Sequence, residues 1–396
     1  MKRTRLSLIA DLAAALSFVL ASSLAAQAQS APLSLGTWTT PVVANCAANF
    51  LGTNCYTTTI SCPDMETITA TFGYKIPGTP KGTIIIFSAG GGTANGSEDM
   101  QYASDYFNAD YAVVQLDWSF DWENTNGITD LTYPYSIRAA ACRPATFLEL
   151  VYSGTISGLY TTNTGFCAQG GSGGSGALGY SLAWYGAGSY TTGYAHLDNV
   201  ELYNGPMFSD LKQGCETFDI GGVCSSAPFV SICPNGTTQL GCKGWPAPPN
   251  LPVSVSPEYV FGSNTWVGTW TGDSSCGVCP PATSNTSNQN WLNQSNVATG
   301  ASFSYSKTTM AGWLCASVDQ MHCQGNQCFL NNASPQGQIF FANFTSYSQF
   351  VNLTVNAVNN CQGSEGVGLG IPPAGTGANG IAAIEGDMKQ FCVHNP

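Results

Sequence analysis

Charge is what this sequence has least of. Lys and Arg total 11 in 396 residues, and charged residues make up 9% of the chain, against about 25% in an ordinary soluble domain. The formal net charge is −12, and beyond Lys2, Arg3 and Arg5 there is no basic run. A phosphate backbone needs a cationic footprint, so the composition excludes nucleic acid as a partner and argues against anionic membrane surfaces. Histidine is scarcer still, with only His196, His322 and His394. Any chemistry that needs an imidazole must draw on one of these three. Long apolar runs are also missing after the N-terminus: none approaches the ~18 residues of a membrane span.

Other residues are plentiful. Hydrophobic types reach 43%, with 9 Trp, 17 Tyr and 19 Phe, enough to build a large core and to exclude global disorder. The length allows one large domain or two ordinary ones. Sixteen cysteines, an even number, are spread from Cys46 to Cys392, which points to disulfides and an oxidising compartment. Zinc is the other reading, but Cys276-Gly-Val-Cys279 is half a ligand set, and neither a second such pair nor a closely spaced His pair completes it. The N-terminus agrees with export. Lys2, Arg3 and Arg5 precede an apolar run from Leu12 to Leu24, and Ala26-Gln27-Ala28 is a cleavage site, so residues 1–28 are expected to be a secretory signal peptide. The expected location is extracellular or periplasmic.

Along the chain, strand and helix patterns alternate. Strands are expected at Tyr56–Ser61, Thr67–Ile76, Gly82–Ser88, Ala112–Trp118, Gly165–Gln169, Leu197–Tyr203, Thr308–Leu314 and Leu353–Val358. Helices are expected at Ser97–Phe107 with Ser97 as N-cap, at Ser136–Tyr152 interrupted by Pro144, at Ala177–Tyr185, at Ser334–Phe344 with Pro335 at its first position, and at Ile381–Phe391. Continuous apolar runs such as Thr83-Ile-Ile-Ile-Phe87 suit strands buried on both faces, and their alternation with helices implies an α/β fold with a parallel sheet. Residues 213–300 differ: they are rich in Cys, Pro, Gly, Ser and Asn and hold Cys215, Cys224, Cys233, Cys242, Cys276 and Cys279. They read as a disulfide-stapled insertion over the sheet, dividing a core of residues 29–212 and 301–396.

The segment that carries chemistry is Phe166-Cys-Ala-Gln-Gly-Gly-Ser172-Gly-Gly-Ser175-Gly-Ala-Leu-Gly-Tyr180. A strand runs into G-x-S-x-G and a helix follows, the context required of a nucleophile elbow. The serine sits on a strained turn, and small neighbours let the helix pack close. Two serines compete: Ser175 lies where the helix should begin, and Ser172 fits the turn. Acyl transfer also needs donors for an oxyanion. Gly173, directly after the serine, supplies one N–H. A second is expected from the loop Ser88-Ala-Gly-Gly91-Gly92 after an earlier strand, with Gly91 as the candidate.

With Ala89-Gly-Gly-Gly92, Gly170-Gly-Ser-Gly-Gly174 and the strand ending in Tyr203-Asn-Gly-Pro206, the chain resembles the α/β-hydrolase superfamily. The resemblance covers most of the chain outside the Cys-rich stretch. It implies a mostly parallel central sheet flanked by helices, with residues 213–300 as the cap. It also implies a secreted serine esterase, lipase or peptidase-like enzyme with a Ser–acid–His triad and no metal or organic cofactor. The acid matches Asp319, beyond the strand Thr308–Leu314; Asp273 is the runner-up. The usual place for the His, the loop Asn360–Val367 after the last strand, contains none. His196 precedes a strand and His394 ends the last helix, so both belong at the opposite edge of a parallel sheet. His322 follows a strand's carboxyl end and is the candidate base, oriented by Asp319 or Glu365. The expected reaction is cleavage of an ester, less readily an amide, in a small-molecule or polymeric substrate, through an acyl-enzyme on Ser172. The second class is a catalytically inactive extracellular binding protein on the same scaffold, motivated by the missing His. Asp117-Trp118-Ser-Phe-Asp121-Trp122, after a strand end, either lines the cleft or packs beneath the cap.

Overall fold

The computed structural model describes residues 32–63, 65–123, 137–187, 194, 196–203, 230–232, 238–240, 310–314, 337–341, 352–357 and 380–394. The expected signal peptide and all but two short strands of the expected cap lie outside these residues. The strands are β1 (Thr37–Trp38), β2 (Val42–Val43), β3 (Asn54–Ser61), β4 (Ile68–Lys75), β5 (Gly82–Phe87), β6 (Ala112–Trp118), β7 (Gly165–Gly171), β8 (Asn199–Tyr203), β9 (Val230–Ile232), β10 (Thr238–Leu240), β11 (Met310–Leu314), β12 (Gly337–Phe341) and β13 (Asn352–Ala357). The helices are α1 (Ser97–Asn108), α2 (Ile137–Ala140), α3 (Cys142–Tyr152), α4 (Gly173–Tyr185) and α5 (Gly380–Phe391).

Among the described residues, eleven strands form one sheet in the order β1-β3-β4-β6-β5-β7-β8-β11-β12-β13, with β2 also paired to β3. The centre, β6-β5-β7-β8-β11, is parallel throughout, and the strands on either side join it antiparallel. β9 and β10 form a separate two-stranded ribbon within the Cys-rich stretch. This is the α/β fold that the sequence implies, with a sheet that is parallel at its centre and antiparallel at its flanks. Every residue of β5, β6 and β7 is buried, which is why their sequences do not alternate and are largely apolar, with Gln115, Asp117 and Gln169 as buried polar exceptions.

Two clusters cover the two faces. On one, α3 and α4 pack over Phe72, Phe87, Leu116 and Phe166. Phe147 of α3 sits edge-on to Phe72, Phe87 and Trp118. On the other, α1 and α5 bring Tyr102, Tyr106, Ile384 and Met388 against Ile84, Ile86 and Val113. All thirteen residues of α4 are buried, as expected for a helix enclosed between a sheet and a neighbouring helix. Three disulfides staple this frame: Cys46–Cys55, Cys62–Cys142 and Cys167–Cys392. The last ties β7 to the end of α5, closing a sequence separation of 225. Among the described residues, no helix is long and apolar enough to cross a membrane.

Three local expectations are corrected. Within the stretch expected as a helix, the described residues are a strand: Gly337–Phe341 is β12, bonded antiparallel to β11 on one side and β13 on the other. Ser334 and Pro335 lie outside the described residues. The Ile339-Phe340-Phe341 run, β-branched and aromatic, gains ladder bonds on both sides, and this outweighs the local helix-start signal. The cap of α1 is Gly96, one residue earlier than expected, and its N–H donates to the Asp99 carboxylate at 2.8 Å. The expected interruption of the 136–152 stretch is at Ala141, between α2 and α3, and not at Pro144 itself. Pro144 lies in the first turn of α3, where its missing N–H would have had no helical partner.

Candidate active site

The site is built where β7 ends. β7 lies between β5 and β8, parallel to both, so its carboxyl end is fixed from two sides. The chain then turns at Ser172 with φ 48° and ψ −120° and enters α4 directly. Among the described residues, the other non-glycine positions with positive φ are Asn49, Asp110 and Asn163, residue types that tolerate the left-handed region. Serine does not share that tolerance, and a residue held there costs about 1–3 kcal/mol. The enclosing strand and helix fix the turn. Ser172 is 3% exposed and stands at the N-terminus of a thirteen-residue helix, whose first N–H groups and dipole favour negative charge. Ser175, by contrast, lies within the first turn of α4 and is fully buried. The backbone thus singles out Ser172 from the two serines of the motif.

The glycines around Ser172 are explained by close approach. A Cβ on Gly173 would collide with the carbonyl oxygen of Gly90, and one on Gly174 with the carbonyl of Phe87 at the end of β5. The elbow therefore rests directly on the β5 end and on the loop 88–92. The structure brings the elbow and the loop after β5 together, with the Gly90 carbonyl oxygen against Gly173. This follows from strand order, since β5 is the immediate neighbour of β7.

The loop is pinned from outside. Gly92 N–H closes a turn on Ala89 O at 3.2 Å; Trp118 N–H donates to Gly92 O at 2.7 Å and Trp122 N–H to Gly91 O at 2.9 Å. The Asp117–Trp122 segment is thus neither a plain cleft wall nor only packing. Trp118 and Trp122 are buried core residues whose main chain holds the glycines. Beneath it, Gln115 Nε2 donates to Asn95 Oδ1 at 3.1 Å, and Asn95 Nδ2 donates to Leu116 O at 3.1 Å and to Asp117 Oδ1. The sequence offered no signal for this network, because Asn95 and the β6 residues it joins come from two separate segments.

Carboxyl groups crowd this edge, and burial raises their pKa values. Asp117 is pushed from 3.8 up to about 6, first by desolvation and then by the charge of Asp99, against the hydrogen bond from Asn95. Burial also raises Asp99 and Asp121. Glu123 is held well above its ordinary value by burial and the charge of Asp121, with Arg143 opposing. Asp121 fills the space beside Gly91, where a Cβ would meet its carboxyl group.

Asp319, His322, Asp273 and Glu365 lie outside the described residues. His196 and His394 stand at the other edge of the sheet. Asp198, which precedes β8, accepts from Phe166 N–H at 2.9 Å and lies 3.7 Å from His394 Nδ1. Burial lowers the pKa of His196, with Asp198 opposing. Among the described residues, no group of three His, Cys, Asp or Glu could hold a metal ion.

No protein-family model matches the chain, and no curated protein matches it. Several solved structures are similar to parts of it. Brefeldin A esterase, described as a bacterial homologue of human hormone-sensitive lipase, shares 18% identity over 43% of this chain and 45% of its own, with a TM-score of 0.28. Acetyl xylan esterase 1 from a Thermoanaerobacterium species shares 11% over 44% and 54%, with a TM-score of 0.30. A hyperthermophilic esterase from the archaeon Pyrobaculum calidifontis shares 16% over 41% and 48%, with a TM-score of 0.28. The chain spans about half the length of these structures, and no statement about its chemistry rests on the likeness.

Proposed function

We propose that this protein is a secreted serine hydrolase that cleaves an ester bond through an acyl-enzyme on Ser172. The observation that carries the reading is the backbone of Ser172, a serine held at φ 48° and ψ −120° between β7 and α4, with the Gly90–Gly91 peptide packed against Gly173. A buried serine in a strained turn at a helix N-terminus is costly as structure and useful as a nucleophile.

In the proposed reaction, Ser172 Oγ attacks the ester carbonyl carbon and its proton passes to His322. The carbonyl electron pair moves onto oxygen, where the N–H groups of Gly173 and Gly91 stabilise it. Collapse breaks the bond to the alcohol, which leaves with the proton from His322. Water then repeats the sequence and releases the acid, with Asp319 orienting His322 and stabilising the imidazolium. Support for His322 comes from topology. β11 runs parallel to β8, and β8 to β7, so the chain leaves β11 on the edge where Ser172 stands. Asp319 and His322 follow Leu314 by five and eight residues.

The test uses protein lacking residues 1–28 and a series of short p-nitrophenyl esters. Wild type turns them over and is labelled by a fluorophosphonate on Ser172. Ser172→Ala loses turnover by about 10³-fold or more. Equal rates in both proteins refute Ser172 as nucleophile. No turnover and no label in wild type refute the hydrolase reading and leave an extracellular binding protein on this scaffold.

A further inference from the structure

We propose that Trp122 is a positioning residue for the oxyanion-binding peptides, a role that rests on the ester hydrolase reading above. The two donor segments come from different parts of the chain: Gly91 from the loop after β5, Gly173 from the elbow after β7. Three consecutive glycines at 90–92 have no side chains to fix their orientation, and Gly90 and Gly92 are at φ 60° and 72°. Such a stretch is conformationally permissive, so its geometry must be imposed by hydrogen bonds from outside.

Trp122 supplies them to both segments at once. Its main-chain N–H donates to Gly91 O at 2.9 Å, and its indole Nε1–H donates to Gly173 O at 3.2 Å. Its own carbonyl accepts from Arg143 Nη1 at 2.7 Å, and Arg143 Nη2 donates to Glu66 O at 2.6 Å. Trp122 and Arg143 are both fully buried. The loop and the elbow are thus referenced to one residue, the loop by its main chain and the elbow by its side chain, and that residue is anchored through Arg143 to Glu66, just before β4. The bond from Trp122 to the Gly91 carbonyl fixes the orientation of the 91–92 peptide, to which the peptide carrying the Gly91 N–H is joined at the Gly91 Cα. The indole bond fixes the distance between this loop and the first turn of α4. An oxyanion site depends on where its donors point when charge develops, so a misplacement of a fraction of an ångström lowers kcat while leaving ground-state binding nearly intact.

Trp122→Phe keeps an aromatic ring in the core and deletes only the indole donor. Removing a direct oxyanion donor lowers kcat by about 10²–10³-fold; removing a prop behind it is expected to lower kcat by about ten-fold, with KM within about two-fold. The rate of fluorophosphonate labelling should fall with kcat. Trp184→Phe, in the far part of α4, controls for the loss of a buried indole and should leave kcat unchanged. If Trp122→Phe fails to fold, Trp122→benzothienylalanine, which keeps the indole shape without the N–H, makes the same measurement. Wild-type kcat in a variant that has lost only thermal stability means that Trp122 is core packing and overturns the proposal. An inactive wild type refutes the hydrolase reading itself, and the positioning role falls with it.

Discussion

Asp117→Asn tests whether the carboxyl groups under the site act on folding as their surroundings imply. Asp117 ends β6, is 8% exposed and accepts a hydrogen bond from Asn95. Its pKa is raised from 3.8 to about 6, so between those pH values the folded protein holds a proton that the unfolded chain has released. Stability from this group is therefore complete in acid and is lost as pH rises through about 4 to 6. A two-unit shift corresponds to at most about 3 kcal/mol. Solvent reaching one side of the carboxyl screens part of this, leaving about 1–2 kcal/mol. Asparagine keeps the acceptor for Asn95 and cannot ionise. Asp117→Asn should therefore match wild type within about 0.5 kcal/mol at pH 4 and exceed it by about 1–2 kcal/mol at pH 8. The assay is guanidinium denaturation with disulfides intact, followed by tryptophan fluorescence at both pH values. Asp99 is present in both proteins and its charge contributes to the shift of Asp117, so the difference reports Asp117 together with its repulsion from Asp99. A variant that gains nothing between pH 4 and pH 8, or that is weaker at pH 8, refutes the reasoning.

Gly173→Ala places a methyl group on the Gly90 carbonyl and should separate loop from elbow. Turnover should fall by about 10²-fold or more, with far-ultraviolet circular dichroism unchanged, because the helix itself tolerates alanine. Cys167→Ser combined with Cys392→Ser opens the link between β7 and α5 and should cost about 2–5 kcal/mol in the same denaturation assay. An unaltered midpoint would mean that packing of Ile384 and Met388 already holds α5.

Much of the frame was legible because it is local. Ile84–Phe87 and Val113–Leu116, apolar but for Gln115, read as buried strands because a strand covered on both faces is apolar along most of its length. The elbow was legible because strand, turn and helix are contiguous from Gly165 to Tyr185. Residues 334–344 were misread because Ser-Pro at the start mimics a helix entry, and the pairing of Gly337–Phe341 with β11 and β13 is not local information. Trp122 was taken for an aromatic wall or packing, since nothing in its neighbours announces that its N–H groups reach Gly91 and Gly173.

The sequence alone determined the alternation of strands and helices and the position of the strained serine, and it offered no basic surface for a phosphate backbone. Each follows from residue type, short-range periodicity or the need for glycine where chains touch. The tertiary structure decided which loop meets the elbow, because strand order sets β5 beside β7 and the gap between their ends. It also decided that Cys62 joins Cys142 and Cys167 joins Cys392, and that three buried carboxyl groups, Asp99, Asp117 and Glu123, and the half-buried Asp121 share one edge near Gly91 and Ser88. These depend on residues far apart in the chain meeting where solvent is excluded, a condition that only the packed sheet and its helices impose.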